Sequence, residues 1–236
     1  MSDVKFPKLR GLAWEVKRTP RFGTIIQPSV VPGYEVRVPL AHDPLYNFQL
    51  SYKILTSGAV VNDTLNQLEG FFKARQGAYD SFLLPLSEIM GGDPSEGVVN
   101  DQQLPLDANY NSPLVRRQGG SGYLETIYEL ARLVNDDGTL TETIPAISLD
   151  GTILTPNSDY ALYTPAETLA GDLNANGINY SGYVAHFTMS PQPVGIVTAS
   201  FGWWYRVRFE QDMIDFDMFH YLLWQAQQVN LVGVRE

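Results

Sequence analysis

The chain has 236 residues, of which 44% are hydrophobic and 18% are charged. This hydrophobic share is typical of a globular protein, and the length fits one large or two small domains. No apolar run approaches the ~18 residues that a membrane span requires. The absence of cysteine excludes disulfides and thiolate chemistry. A net charge of −10 disfavours a protein that grips nucleic acid through its phosphates.

Two alternating segments in the first quarter of the chain predict β-strands. The apolar positions of the clearer segment are Tyr46, Phe48, Leu50, Tyr52 and Ile54. Tyr34–Val38 alternates in the same way, and the His42-Asp43-Pro44 turn connects the two segments. Because so short a connection cannot carry a parallel crossover, the sequence predicts an antiparallel hairpin over Tyr34–Leu55.

A helix is predicted after this hairpin. Thr64 and Gln67 have the spacing of a capping box. One face carries Leu65, Leu68 and Phe72, with Phe71 beside it. Gly77 stands where a left-handed residue ends a helix, and Tyr79–Leu84 then predicts a strand that Pro85 ends.

The middle of the chain is rich in glycine and proline. Residues 91–121 have little apolar periodicity and are interpreted as a linker or boundary region. Residues 122–199 predict a smaller β domain of short strands, with turns at Asp137-Gly138 and Asp150-Gly151. Within it, Leu124–Val134 fits either a helix or a strand.

The longest alternation comes near the end. Val197–Phe209 predicts one continuous strand, about 40 Å long at ~3.3 Å per residue. Met218–Gln228 is interpreted as a helix or bent segment, and Val229–Arg235 as a closing strand. The predicted fold class is therefore mostly β, with one or two helices.

Two weak patterns suggest metal binding. The first consists of Asp212, Asp215, Asp217 and His220. A solvated acidic helix start explains these residues better than a divalent-cation site. The second, Asp172–Gly177, matches the first half of a calcium loop, but Tyr183 occupies the position of the bidentate carboxylate. No metal site and no cofactor are predicted.

No pattern makes a coherent case for an enzyme. The nucleophile elbow, the phosphate-binding loop and the dinucleotide fingerprint are all absent from the sequence. Trp203-Trp204-Tyr205 suggests a sugar-stacking platform. Because neighbouring strand residues point to opposite faces, at most Trp204 is expected to be exposed, and core packing is the stronger interpretation. No catalytic residue is predicted.

Two motifs resemble those of the distal tail proteins of tailed phages and gene-transfer agents. In that family a helix ending Phe-Phe-x-Ala-Arg-x-Gly leads into an aromatic strand, as Phe71–Gly77 followed by Tyr79 and Phe82 does here. Val207–Asp212 is similar to the family's later Val-Arg-Phe-Asp-x-Asp signature. The motif residues are Phe71, Phe72, Ala74, Arg75, Gly77, Phe82, Val207, Arg208, Phe209 and Asp212.

Weaker landmarks extend the resemblance over nearly the whole chain. They are Phe6-Pro7, Gly33–Arg37, Leu114–Arg117, Leu149-Asp150-Gly151 with Asp159-Tyr160, and Leu231–Arg235. The chain departs from the family in two places. Arg10–Glu15 replaces a glycine-rich stretch, and Gly233 stands where an acid is usual.

The resemblance implies a tail-tube-like β-barrel domain with one packed helix, formed by residues 1–90 and 200–236. The smaller β domain would be inserted between these segments. It implies a non-enzymatic virion protein of the tail tip or baseplate, which forms a ring of six copies with a channel for DNA. The ring would join the tail tube protein to the hub or tip proteins, and peripheral fibre or receptor-binding proteins are further candidate partners.

The same resemblance gives expectations for individual residues. Phe72 is expected to anchor the helix, Ala74 to allow close approach to a sheet, and Arg75 to favour the negative helix end. Arg208 and Asp212 are candidates for an ion pair. The candidate assembly contacts are Tyr34, Arg37, Tyr46 and Phe48, on the predicted hairpin.

Net charge adds a further expectation. Six copies would carry −60, and an acidic channel wall would let DNA pass without sticking. The alternative interpretation of the chain is a carbohydrate-binding β module that acts as a receptor-binding tail component, with Trp204 stacking on sugars.

Overall fold

The computed structural model describes residues 3–13, 15–28, 33–58, 63–90, 97–117, 122–137, 139–169, 180–189 and 194–235. The chain divides into two compact units. Unit 1 comprises Met1–Leu84 and Arg206–Glu236, and unit 2 comprises Pro85–Tyr205. The mostly-β prediction is confirmed. Within the described ranges, no helix is long and apolar enough to cross a membrane.

Nineteen strands and three short helices make up the described part of the chain. The elements up to residue 117 are β1 (Lys17–Arg21), β2 (Thr24–Pro28), β3 (Glu35–Pro39), β4 (Leu45–Thr56), α1 (Thr64–Ala74), β5 (Phe82–Leu84), α2 (Leu86–Ile89), β6 (Val98–Gln103), β7 (Asn111–Pro113) and β8 (Val115–Arg117). The later elements are β9 (Leu124–Thr126), β10 (Arg132–Val134), β11 (Leu140–Glu142), β12 (Ala146–Leu149), β13 (Thr152–Ile153), β14 (Tyr160–Tyr163), α3 (Pro165–Leu169), β15 (Val184–Phe187), β16 (Val197–Gly202), β17 (Tyr205–Phe209), β18 (Asp217–His220) and β19 (Leu223–Gly233).

A six-stranded sheet organises unit 1. Its order is β1-β4-β19-β17-β5, with β18 paired to β19. The predicted strand over residues 46–54 is confirmed as β4, and its side chains alternate between the interior and the other face up to Tyr52. Ile54 is exposed instead of buried, because Leu55 pairs with Trp224 and Tyr52 with Ala226. Lys53 and Ile54 of β4 thus oppose the single residue Gln225 of β19, and this bulge reverses the alternation.

The predicted Tyr34–Leu55 hairpin is wrong in its pairing. β3 pairs with β2, which places Ile25 opposite Val38, and these two strands form a separate sheet. Both edges of β4 are occupied by other strands, β1 and β19, so β3 has no place beside it. The run Thr24–Pro28 supplies the nearest β-favouring partner for β3.

The segment Met218–Gln228, interpreted as a helix or bent segment, belongs to a hairpin and contains no helix. β18 and β19 are joined at Tyr221 and Leu222, and Leu222 has a positive φ of 61°. β19 pairs along nearly its whole length with β4. This long-range pairing overrides the ambiguous local pattern, and the predicted closing strand is the second half of β19.

Unit 2 consists of small sheets around its own apolar core. Its largest sheet has the order β13-β12-β16-β6. The segment 91–121, predicted as a boundary, contains β6, β7 and β8 of this unit. The ambiguous segment Leu124–Val134 contains two strands, β9 and β10, and no helix. Asp150 and Gly151 both have positive φ in the predicted turn between β12 and β13.

The long strand predicted over Val197–Phe209 is interrupted. β16 ends at Gly202 and β17 begins at Tyr205. Trp203 donates its backbone N–H to the Gly97 carbonyl, and Trp204 donates to the Glu129 carbonyl. Both tryptophans are buried, as core packing predicts: Trp204, the one residue of the three that the alternation allowed to be exposed, is 5% exposed.

Tyr52 in the core of unit 1 yields a stability prediction. Burial raises the pKa of this tyrosine, and its hydroxyl has no hydrogen-bond partner within the described residues. Tyr52→Phe keeps the ring and removes the unpaired hydroxyl. We expect it to raise the free energy of unfolding by about 1 kcal/mol in urea titrations followed by circular dichroism.

Tyr160 provides the matched control in unit 2. It is equally buried, but its hydroxyl donates to the Pro145 carbonyl at 2.8 Å. Tyr160→Phe should therefore lower the free energy of unfolding by about 1 kcal/mol. A Tyr52→Phe variant that loses as much stability as Tyr160→Phe would contradict the prediction.

Candidate assembly site

Five phenylalanines of unit 1 bring the two family-like motifs together. This phenylalanine cluster consists of Phe6, Phe71, Phe72, Phe82 and Phe209. The Phe209 ring lies 4.9 Å from Phe72 and 5.0 Å from Phe82, centroid to centroid. Phe71 packs edge-on against Phe82 at 5.0 Å and against Phe6 at 5.4 Å. The helix motif and the Val-Arg-Phe motif therefore share one aromatic contact.

The start of α1 differs from the predicted capping box. Asp63 is the N-cap, and its carboxylate accepts from the backbone N–H of Asn66 at 3.3 Å. The hydroxyl of Thr64 instead accepts from the backbone N–H of Thr56 at 2.9 Å. This bond ties the first turn of the helix to the end of β4.

The end of α1 is held by a long-range contact. Gly77 has φ +62°, so the predicted left-handed residue is confirmed, and its N–H donates to the Phe72 carbonyl at 3.2 Å. The Asp212 carboxylate accepts from the backbone N–H of Ala78 at 2.9 Å, across 134 residues of sequence. The second motif therefore caps the turn that follows the first.

Two expectations for the motif residues are wrong, and Arg75 makes a contact beyond the expected one. The predicted Arg208–Asp212 ion pair is wrong, because Asp212 binds the turn and Arg208 donates to the Phe209 carbonyl at 2.8 Å. Ala74 is exposed, so its small side chain does not face a sheet and does not bring α1 close to one. Arg75 does not act on the helix end alone: its guanidinium pairs with Asp80 at 2.8 Å.

Gly77 yields a second stability prediction. A Cβ at this position would lie 2.8 Å from Oδ1 and 2.9 Å from Cα of Asp212, in a backbone conformation that L-residues rarely adopt. Gly77→Ala should destabilise the protein by about 1–3 kcal/mol in urea unfolding. Gly70→Ala is the control. Gly70 lies in α1 with open space around it, so alanine there should stabilise by roughly 0.5–1 kcal/mol. Equal effects of the two variants would contradict the prediction.

The β2–β3 hairpin, called here the ribbon, exposes an apolar face. Tyr34, just before β3, is 72% exposed. The strand register puts Ile25, Val36 and Val38 on the same face, and Leu40 continues this alternation beyond β3. Each of these four side chains is roughly half exposed or more. Exposed apolar patches mark interaction surfaces, and a lone two-stranded ribbon is marginal in water. The ribbon is therefore a candidate assembly surface.

The four candidate contact residues separate into two pairs. Tyr34 and Arg37 lie on the ribbon, where Arg37 pairs with Glu35. Tyr46 and Phe48 lie on the inner face of β4 and are 8% and 2% exposed. These two side chains belong to the core of unit 1, so they are not available as contacts.

A second apolar surface lies where β18 meets β19, and the sequence did not indicate it. This β18 tip consists of Met213, Met218, Phe219, Tyr221 and Leu222, each 41–80% exposed. Its charged neighbours are acidic, namely Glu210, Asp215 and Asp217. Residues 218–228 were interpreted as a helix or bent segment, and neither interpretation indicated that the side chains of β18 are exposed.

Charge is distributed unequally between the two units. Unit 1 contains 13 lysines and arginines against 12 aspartates and glutamates, a net charge of +1. Unit 2 contains 3 against 14, a net charge of −11. Unit 2 therefore accounts for the acidity of the chain.

The other candidate sites find no support in the geometry. Within the described ranges, no three aspartate, glutamate or histidine side chains are grouped to hold a metal ion, including those around His220. The calcium-like segment Asp172–Gly177 lies outside the described residues. Trp204, the stacking residue of the carbohydrate alternative, is buried.

No family model matches the chain, and no curated protein is detectably similar to it. Function is therefore inferred from the sequence motifs and from the geometry of unit 1.

Proposed function

We propose that this protein is a distal tail protein, a structural virion component that forms a ring between the tail tube and the tail tip or baseplate. The observation that carries the proposal is the meeting of the two motifs. Phe209 of the later motif packs on Phe72 of the earlier one, and Asp212 caps the turn after it. Residues that resemble one family's signatures at distant positions thus act as one structural unit.

In this proposal unit 1 is the ring-forming domain and unit 2 is the inserted β domain. None of the sheets described in unit 1 closes into a barrel. The tail-tube-like β-barrel of unit 1 stays a prediction of the proposed family. Closed cyclic rings use heterologous contacts, in which two different surfaces of each subunit meet. The ribbon, with its exposed apolar face, is one such surface.

The distribution of charge restricts how DNA would pass the ring. A channel wall formed by unit 1 would be close to neutral, because that unit carries only +1. The expected acidic wall therefore requires unit 2 to line the channel. The proposed partners are further copies of the chain, the tail tube protein, and the hub or tip proteins. Fibre or receptor-binding proteins would attach at the periphery, and the proposal assigns no enzymatic role and no cofactor.

Solution mass and imaging test the proposal. We expect light scattering after gel filtration to give a mass of six subunits, and negative-stain micrographs to show rings with a central hole. A particle that stays monomeric up to its solubility limit, and that purified tail tubes do not recruit, would overturn the proposal. A glycan array tests the carbohydrate alternative, for which burial of Trp204 predicts no binding.

A further inference from the structure

The ribbon and the strand before it form a basic apolar surface of unit 1. β1 carries exposed Lys17 and Arg21. The chain continues from β1 directly into the ribbon, whose apolar face consists of Ile25, Tyr34, Val36, Val38 and Leu40. Residues 17–40, which form β1 and the ribbon, contain four lysines and arginines against one acid, Glu35. Positive charge and exposed apolar side chains thus occur together.

The β18 tip is an acidic apolar surface of the same unit. Glu210, Asp215 and Asp217 are exposed beside its five apolar side chains. The surrounding segment 209–222 contains these acids and Asp212, and no lysine or arginine. The tip therefore matches the ribbon surface in apolar character and opposes it in charge.

The two surfaces lie at diagonally opposite corners of the six-stranded sheet. β1 pairs with the beginning of β4, where Pro20 lies opposite Tyr46, and the ribbon is attached at this end. β18 pairs with the part of β19 that lies beside the other end of β4, where Leu223 is opposite Thr56. At ~3.3 Å per residue, β4 separates these ends by roughly 35 Å. This distance favours contact between copies over contact within one copy.

We propose that the ring contact joins the basic ribbon surface of one copy to the acidic β18 tip of the next. The inference rests on the proposed function and names the two surfaces that the ring uses. A ribbon-to-ribbon contact would place like charges together, and so would a tip-to-tip contact; like-charge pairs oppose association. Only the head-to-tail arrangement buries both apolar faces with complementary charge, and head-to-tail contacts are the kind that build a ring when the rotation between copies closes.

Mixing two half-interface variants of the full chain tests this contact. The ribbon variant carries Val36→Gln and Val38→Gln, and the tip variant carries Phe219→Gln and Tyr221→Gln. Glutamine removes the apolar contact without changing the charge. Each variant alone should lose the ring, whereas their equimolar mixture should give dimers and nothing larger, because one intact ribbon meets one intact tip. Analytical ultracentrifugation measures the masses.

Controls separate this contact from folding and from the proposed function. Ile153→Gln changes an exposed apolar side chain of unit 2, so it should leave the ring intact. Each variant must retain the wild-type circular dichroism spectrum, and rising salt should dissociate the wild-type ring. Rings that persist in either folded variant, or a mixture that stays monomeric, would overturn the inference while leaving the proposed function standing. A wild type without rings would overturn the proposed function itself.

Discussion

Phe209→Ala is expected to lower the free energy of unfolding of unit 1 by about 3–5 kcal/mol. Phe209 is 2% exposed, and its ring contacts those of Phe71, Phe72 and Phe82 within 4.9–6.3 Å. Truncation removes the buried ring and leaves a cavity between α1, β5 and β17. Because these elements come from both ends of the chain, their packing across unit 1 is expected to loosen together.

Urea unfolding followed by far-ultraviolet circular dichroism measures this loss. Tyr79→Ala is the matched control, since Tyr79 follows the same helix motif but is 83% exposed. It should change the free energy of unfolding by less than about 0.5 kcal/mol. A loss below about 1 kcal/mol at Phe209 would show that the phenylalanine cluster does not hold the two motifs together. The structural basis of the proposed function would then fall.

The sequence predicts those parts of the fold that depend on local periodicity. β4 could be predicted because Tyr46, Phe48, Leu50 and Tyr52 all pack to one side of a twelve-residue strand. The left-handed residue after α1 could be predicted because glycine adopts that conformation without strain, and Gly77 has φ +62°. In both cases the signal and its cause lie within a few residues of each other.

Pairing between distant segments was not predictable in the same way. The strand at residues 35–39 was recognised, but its partner β2 was not, because alternation identifies a strand and not its neighbour. Ile54 turns outward owing to a bulge against β19, which lies far along the chain. Thr64 has the residue type of a cap, yet its hydroxyl binds Thr56 and Asp63 caps the helix.

The candidate site shows the same difference between what local patterns predict and what they do not. Tyr34 and Arg37 were predicted as contact residues and lie on the exposed ribbon, whereas Tyr46 and Phe48 are core residues. Periodicity alone does not say whether an apolar face meets the core or remains uncovered. The acidity of unit 2 follows from counting its charged residues. That count requires the unit boundaries after Leu84 and before Arg206, which the structure provides.

The sequence also concealed a buried ion pair in unit 2. Arg116 lies directly opposite Glu125 in the β8–β9 pair, and its guanidinium donates to that carboxylate at 2.7 and 2.8 Å. The same guanidinium lies 4.0 Å from the ring centroid of Trp203 and donates to the Tyr205 hydroxyl at 3.3 Å. Arg116, one of the three lysine and arginine residues of this unit, is therefore engaged in a buried ion pair.

Arg116→Ala should destabilise unit 2 by about 3–5 kcal/mol, because it removes the guanidinium that pairs with Glu125, a carboxylate with only 6% of its surface exposed. Urea unfolding followed by tryptophan fluorescence measures the change, since Trp203 lies against the lost guanidinium. The double variant Arg116→Met with Glu125→Leu removes both charges and should recover most of this stability. If the double variant is as unstable as Arg116→Ala, the loss comes from packing on Trp203. If it recovers, the cause is the buried carboxylate that has lost its guanidinium, and the Arg116–Glu125 pair offsets the cost of burying that charge.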